Sequence, residues 1–237
     1  MKLHTLSCLP ANTGVATDTY IVGDLHAGDG SPTDDFARNA DLFAQFLASV
    51  GTVYTCGDAL ELWQARELDV YRAYGDVLAC LDAGKGVRGN HDLNRKDKMP
   101  DVMRVGNCKI VHGHQADPWC SRWRTLGWLI TVALAGLERL GWGDADNPEG
   151  WWLRFVKTPA EMNKETYGQL AMRYYHYCGT LLDAETEVVV FGHTHRAALI
   201  RNGNKVIANV GTWASFVYPC TCVRLTPSDV ALIQVDN

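Results

Sequence analysis

Six of the eight histidines lie in five short segments of one design, in which an apolar run ends in a turn that is bounded by glycine and carries polar side chains. The segments are 20–26, 53–58, 86–92, 110–114 and 188–195. Their carboxylates, imidazoles and single Asn carbonyl are ligand types that divalent manganese, iron and zinc accept. One such group after a strand would mean little. Five in succession indicate that each strand brings its ligands to the same edge of a sheet, and they predict a two-metal hydrolase.

The motifs at the ends of these segments resemble those of the calcineurin-like metallophosphoesterase family. They are Asp24-x-His26, Gly57-Asp58-x-x-Glu61, Gly89-Asn90-His91-Asp92, His112-Gly113 and Gly192-His193-x-His195. All five stand in the family's order. One departure is Gly23, where the family commonly has Ser before the Asp, and that residue is not a ligand.

The resemblance implies a binuclear centre in which Asp58 is the carboxylate shared by both ions. It implies that one site is completed by Asp24, His26 and His195, and the other by Asn90, His112 and His193. The expected cofactor is two divalent metal ions, with manganese first and iron, cobalt, zinc or magnesium as alternatives. Two such ions would acidify a water molecule and neutralise the phosphoryl oxygens of a substrate.

Several further residues have expected roles near the metals. In His112-Gly-His114 the resemblance places the ligand at the first histidine, so that His114 contacts a ligand or is a satisfied polar residue. His91 is expected near the leaving-group oxygen as a general acid. Its orienting carboxylate would be Glu61, with Asp92 as the weaker candidate. Glu61 has a plainer interpretation as a carboxylate in the first turn of a helix.

Arg88 and Arg196 flank two of the motifs and are candidates for bidentate contact with a substrate phosphate. Either could equally be a solvated surface arginine.

Length, charge and cysteine content limit the class of protein. A chain of 237 residues fits one domain, or one domain with a large insertion. The net charge of −5 argues against a general nucleic-acid binder, which would usually be basic. The eight cysteines form no Cys-x-x-Cys pair, which indicates reduced, mostly buried thiols. The first residues lack the apolar core of a signal peptide, so a cytoplasmic location is expected, with a peripheral position at the inner membrane as the variant of it.

The elements that would position the motifs are strands before each segment and helices between the early ones. Apolar spacing predicts helices over 35–50, ended by Gly51, and over 67–81. After His195 the chain is strand-rich, with a hairpin signal at Asn202-Gly203-Asn204. The pattern predicts an α/β fold with two sheets in the core and helices outside, an αββα sandwich.

Residues 115–185 interrupt this succession of strands and helices. They are expected to form a helical cap inserted into a core of 1–114 and 186–237. They contain six of the eight tryptophans, and the apolar run 125–137 is too short to span a bilayer. Trp123 and Trp128 would line an apolar substrate pocket if the insertion is a lid. A plain packed cap and an interfacial helix that touches the membrane are the alternatives.

A narrower resemblance concerns the substrate. Segments 57–63, 192–196 and 209–213 look like the UDP-2,3-diacylglucosamine pyrophosphatase group, which hydrolyses a lipid-linked diphosphate and carries a helical insertion in the matching place. His91 and His114 depart from that group, whose best-known members have Arg and Asp there. The alternatives are phosphodiesterases or phosphatases acting on nucleotides, nucleic-acid ends or small soluble phosphoesters, and a non-enzymatic protein-binding scaffold. Nucleic acid is not a partner in the favoured interpretation.

Overall fold

The computed structural model describes residues 1–81, 85–92, 99–117, 120, 125, 129, 164–214 and 218–237. Within them, two five-stranded sheets pack face to face and helices cover their outer faces. The expected αββα sandwich is confirmed.

The first sheet contains the strands from the two ends of the chain. Its strands are β1 (Lys2–Pro10), β2 (Thr19–Val22), β3 (Thr52–Thr55), β9 (Cys220–Leu225) and β10 (Asp229–Asp236). Their order is β1-β10-β9-β2-β3. Only β2 and β3 run parallel to each other, so the loops that follow these two strands leave the sheet side by side.

The second sheet contains the remaining strands. They are β4 (Val102–Val105), β5 (Cys108–Val111), β6 (Val188–Phe191), β7 (Ala198–Asn202) and β8 (Lys205–Asn209). Their order is β4-β5-β6-β8-β7, and β5, β6 and β8 are parallel. The hairpin expected around Gly203 is confirmed, since β7 and β8 pair antiparallel on either side of it.

Helices α1 (Ala40–Ser49) and α2 (Glu67–Ala79) pack on the outer face of the first sheet, and α3 (Lys164–Thr180) packs on the outer face of the second. The space between the sheets is filled by aliphatic side chains such as Ile21, Ile110 and Val190, each of which is fully buried. All eight cysteines are free thiols and five of them are buried, as the sequence predicted.

One local expectation needs correction, and one strand was not expected. The helix predicted over 35–50 is broken, because a 3-10 turn at Asp35–Arg38 ends at Asn39 before α1 begins. The Asp34 side chain accepts a hydrogen bond from Phe36 N and fixes that turn. Strand β1 was not predicted. Its side chains are largely exposed, and a bulge between Thr5 and Ser7 interrupts the alternation by which a strand is recognised.

The expectation that all motifs meet at the same edge of a sheet is wrong. The first two motifs follow β2 and β3 of one sheet, whereas the last two follow β5 and β6 of the other. The third motif begins beyond an isolated bridge between Gly86 and Thr55. The ligands therefore meet between two facing sheets, at the end where the parallel strands of both sheets terminate.

Candidate metal centre

The loops after the strands have a left-handed backbone at the predicted ligands. The non-glycine residues with positive φ in the described part of the chain are Asp24 (51°), His26 (47°), Asp58 (49°), His193 (68°) and His195 (57°). All five are predicted metal ligands. Such conformations cost about 1–3 kcal/mol each and persist where surrounding structure enforces them. In an extended strand, successive side chains point to opposite faces. The left-handed turns instead bring neighbouring side chains of each loop to the same place.

Backbone hydrogen bonds hold these loops against each other. Asp24 N donates to Gly57 O at 3.1 Å, and His26 N donates to Asp58 O at 2.9 Å. His193 N donates to both carboxylate oxygens of Asp24, at 3.1 and 2.9 Å. The last contact joins the two sheets directly at the centre.

Three of the predicted ligands form a first set. His195 Nε2 lies 3.4 Å from Asp24 Oδ1 and 3.2 Å from His26 Nε2. Asp24 and His26 are largely or fully buried, and the His195 side chain is about one-third exposed.

Three others form a second set. His112 Nε2 lies 3.1 Å from Asn90 Oδ1 and 3.2 Å from His193 Nδ1. His112 and Asn90 are buried.

Asp58 lies between the two sets. Its Oδ2 is 3.1 Å from His112 Nε2 and 3.8 Å from His26 Nε2, while its Oδ1 accepts a hydrogen bond from His91 N at 2.8 Å. Burial would raise the pKa of Asp58, but the neighbouring imidazoles of His112 and His91 outweigh it and hold the pKa well below its usual range. The carboxylate is therefore ionised and within reach of both sets.

The hydrogen bonds of the histidines fit metal ligation. His112 Nδ1 donates to the Cys56 carbonyl at 2.9 Å, and His26 Nδ1 is bonded to Glu61 at 2.8 Å. In a neutral ring the Nε2 atom then carries a lone pair, and this atom faces another imidazole nitrogen at 3.2 Å in both sets. A proton bridges such a pair when one ring is protonated, and a metal ion can take its place by accepting both lone pairs, since ligands about 2.0–2.1 Å from zinc would be separated by a similar distance.

Charge in the centre also favours a cation. Burial would lower the pKa of His26, but the hydrogen bond to Glu61 and the charge of Asp58 outweigh it and raise the pKa to about 10. Burial would also lower the pKa of His112, but the charge of Asp58 and its hydrogen bond to the ring outweigh burial and raise the pKa to about 9. The carboxylates thus draw positive charge into a buried site, which divalent ions would supply.

His91 is fixed by two contacts outside the ligand sets. Its Nδ1 lies 2.7 Å from Glu61 Oε2, and its ring stacks on Trp63 with centroids 4.1 Å apart. Burial would raise the pKa of Glu61, but His91 and His26 lower it to about 2. The structure thus places Glu61 against His91, where the sequence had expected an orienting acid, and also against His26, which the sequence did not indicate.

The other predicted residues lie around this core. Asp92 accepts hydrogen bonds from the backbone N–H groups of Ala59 and Gly89, so it braces the loops. Burial lowers the pKa of His114 to about 3, with the charges of His112 and His193 acting in the same direction. Its ring lies 5.4 Å from that of His112.

The two arginines have different surroundings. Arg88 forms a bidentate pair with Asp101, with N–O distances of 2.6 and 2.8 Å. Arg196 Nε donates to Tyr218 OH at 3.0 Å, next to the candidate ligand His195. Trp123 and Trp128 lie outside the described residues.

Asp117 was missed by the sequence analysis. Its Oδ2 lies 3.3 Å from His193 Nε2 and 3.2 Å from Tyr174 OH. The only available signal was its position three residues after His114.

Two depressions open beside the first ligand set. The smaller, about 160 Å³, is polar and contains Asp29, Asp35 and Gln64 next to His26 and His195. The larger, about 450 Å³, is a mainly apolar groove that also includes His195. Its lining includes Leu6, Arg196, Ala197, Tyr218, Pro219 and Leu232.

Within the part of the chain that the structure describes, no helix combines the length and apolarity required to span a bilayer.

No family model and no curated protein sequence matches the chain. Among solved structures, it is similar to a metallophosphoesterase from Sphaerobacter thermophilus, with a TM-score of 0.50 and 14% identity over 93% of this chain and 88% of that one. It also matches vacuolar protein sorting 29 from Cryptosporidium parvum, with a TM-score of 0.45 and 16% identity over 91% of this chain and 89% of that one. The first likeness shows that this chain has the metallophosphoesterase fold.

Proposed function

We propose that this protein is a two-metal-dependent phosphoester hydrolase, with manganese as the expected ion. One observation carries the proposal: two sets of candidate ligands, each with a pair of imidazole nitrogens 3.2 Å apart, lie on either side of the single carboxylate of Asp58. A fold alone does not specify an activity, so the proposal depends on these side chains.

The ligand sets and His91 divide the chemistry between them. Two divalent ions held by such sets would acidify a water molecule and neutralise the phosphoryl oxygens of the substrate. Asp58 would hold both ions at a fixed separation. His91 is anchored through Nδ1 to Glu61, which leaves Nε2 as the atom that can donate a proton to the leaving oxygen.

The test is hydrolysis of bis(p-nitrophenyl) phosphate with added Mn²⁺ by the wild-type protein and by Asp58→Ala. Wild type should turn over the ester. The variant should lose nearly all turnover and at least one ion, because two close cations would lack their shared anion. Folding of the variant is checked by circular dichroism. If Asp58→Ala kept half or more of the wild-type kcat, Asp58 would not be the shared ligand.

For the substrate we propose the diphosphate of a UDP-linked acylated sugar, similar to UDP-2,3-diacylglucosamine. The groove beside His195 supports it, since it combines the Arg196 guanidinium with apolar walls that include Leu6 and Leu232. An anionic diphosphate and an acyl chain are the chemical groups that such a surface accommodates. The proposal includes peripheral contact with the cytoplasmic face of the inner membrane through residues 115–185.

The alternative substrate class is a small soluble phosphoester or a nucleotide. It is supported by the polar depression next to His26, where Asp29, Asp35 and Gln64 offer hydrogen bonds to hydroxyl groups. The acidic lining makes a polyanionic nucleic-acid end the least compatible member of this class.

Comparing UDP-2,3-diacylglucosamine with UDP-glucose under one metal and one detergent condition separates the two classes. A few buried methylenes at about 0.8 kcal/mol each would give the acylated compound a preference of roughly tenfold or more. Trp123→Ser with Trp128→Ser should then raise KM for that compound and spare a small phosphodiester. Equal turnover of both UDP compounds would exclude the acylated substrate while leaving the metal chemistry intact.

A further inference from the structure

Asp117 is hydrogen-bonded to the candidate ligand His193 through the ring nitrogen that faces away from the second ligand set. Its Oδ2 lies 3.3 Å from His193 Nε2, whereas His193 Nδ1 lies 3.2 Å from His112 Nε2. The two nitrogens of the His193 ring therefore have different partners. One faces the second ligand set and the other faces a carboxylate.

The carboxylate is itself held by helix α3. Tyr174, which is 3% exposed, donates from its hydroxyl to Asp117 Oδ2 at 3.2 Å, and its ring centroid lies 5.5 Å from that of His193. Burial raises the pKa of Tyr174, and the charge of Asp117 acts in the same direction, so the hydroxyl remains a donor. A chain of contacts thus runs from α3 through Asp117 to His193.

This arrangement selects one tautomer of the ring. A neutral His193 that donates from Nε2 to Asp117 keeps its lone pair on Nδ1, directed toward the second set. The other tautomer would place a hydrogen on Nδ1 and could not ligate a metal there. Carboxylates behind metal-bound histidines commonly act in this way, and their removal typically costs 10–100-fold in metal affinity or activity.

We propose that Asp117 is a positioning residue, which fixes the orientation and tautomer of His193 for the second metal ion and is held in place by Tyr174. The inference rests on the proposed two-metal function. It adds that residues of the predicted insertion, 115–185, help to define the second metal site.

The test is titration of metal-free protein with Mn²⁺, resolving the affinities of the two ions. Asp117→Ala should lower the affinity for one ion by roughly 10–100-fold and leave the affinity for the other within about twofold of wild type. Asp117→Asn should recover part of the loss, because an amide oxygen can accept the same hydrogen bond. Tyr174→Phe should cause a smaller loss of affinity for the same ion. Tyr177→Phe, on the same helix, serves as its matched control.

The alternatives give different results. If Asp117 had a merely structural role, its substitution would lower the melting temperature of the metal-free protein and reduce the affinity for both ions equally. That result would overturn the inference. Unchanged affinities in Asp117→Ala would do the same. Cys120 Sγ lies 3.8 Å from Asp117 Oδ2 and 4.0 Å from His193 Nε2. If wild type bound an additional zinc ion that Cys120→Ser abolished, Asp117 would be a ligand instead.

The wild-type titration separates this inference from the function on which it rests. Binding of fewer than two ions by wild type would remove both proposals. Two ions in wild type, with no selective loss in the Asp117 variants, would remove only the positioning role.

Discussion

At the scale of single residues, Glu61 links the two parts of the centre. One of its oxygens lies 2.8 Å from His26 Nδ1, a ligand candidate, and the carboxylate also lies 2.7 Å from His91 Nδ1. The same group therefore orients a ring that would bind metal and a ring that would donate a proton. This shared support explains how the acid and the ligands keep a fixed relation although they come from separate loops.

The role of His91 predicts a loss that depends on the leaving group. His91→Ala should lower kcat by roughly 10²–10⁴-fold for esters with poor leaving groups, which need a proton. The loss should shrink for p-nitrophenyl esters, and metal content should stay near wild type. Rates across a series of leaving groups, with metal analysis of the same samples, check this. A uniform loss, or loss of an ion, would reassign His91 to the ligand set.

Protons and metal ions should compete for the histidines. In the metal-free protein His26 and His112 have pKa values raised to about 10 and about 9, so both rings are protonated at pH 7. A metal needs the lone pair, so binding must release protons, and affinity should rise from pH 6 to pH 9 by up to about tenfold per pH unit for each proton released.

Calorimetric titration in two buffers of different ionisation enthalpy measures that release. The apparent binding heat should differ between the buffers at pH 7. Equal heats and a flat pH profile would mean that the rings are already neutral before metal enters.

At the scale of elements, glycines let the loops approach closely enough to form the centre. A Cβ at Gly89 would overlap the carboxylate and backbone N of Asp58. Gly57, with φ of +91°, likewise faces His112 Nδ1. The glycines of the motifs thus permit close packing around ligands that are not their sequence neighbours.

Gly89→Ala should therefore displace Asp58. We expect a destabilisation of about 1–3 kcal/mol from overpacking, with loss of at least one bound ion. Gly51→Ala is the control, because a Cβ there would meet nothing within 4 Å. Thermal unfolding and metal content of both variants are compared with wild type. Full metal binding by Gly89→Ala would show that the loop tolerates a side chain.

The sequence predicted those features that have a local pattern. Candidate ligands such as Asp24 and His193 stand out because each follows an apolar strand and a glycine. Asp117 does not, because its partner His193 is distant in the chain and no strand or periodicity marks it. The assignment of β2 and β6 to different sheets was also beyond prediction, since apolar runs do not specify which strands pair.

At the scale of the whole molecule, the centre joins two sheets whose facing surfaces pack through aliphatic side chains. Parallel strands β2 and β3 end beside parallel strands β5 and β6, and Asp24 accepts from His193 N across the boundary. Ions held by ligands from both sheets would stabilise the folded chain in proportion to their concentration.

The most direct test is a crystal structure of the protein soaked with Mn²⁺, with anomalous scattering recorded to locate the ions. Two anomalous peaks per chain should appear about 3.5–4 Å apart, with Asp58 between them. Asp24, His26 and His195 should contact one peak, and Asn90, His112 and His193 the other. A single peak at saturating metal, or two peaks that do not share Asp58, would contradict the two-metal centre.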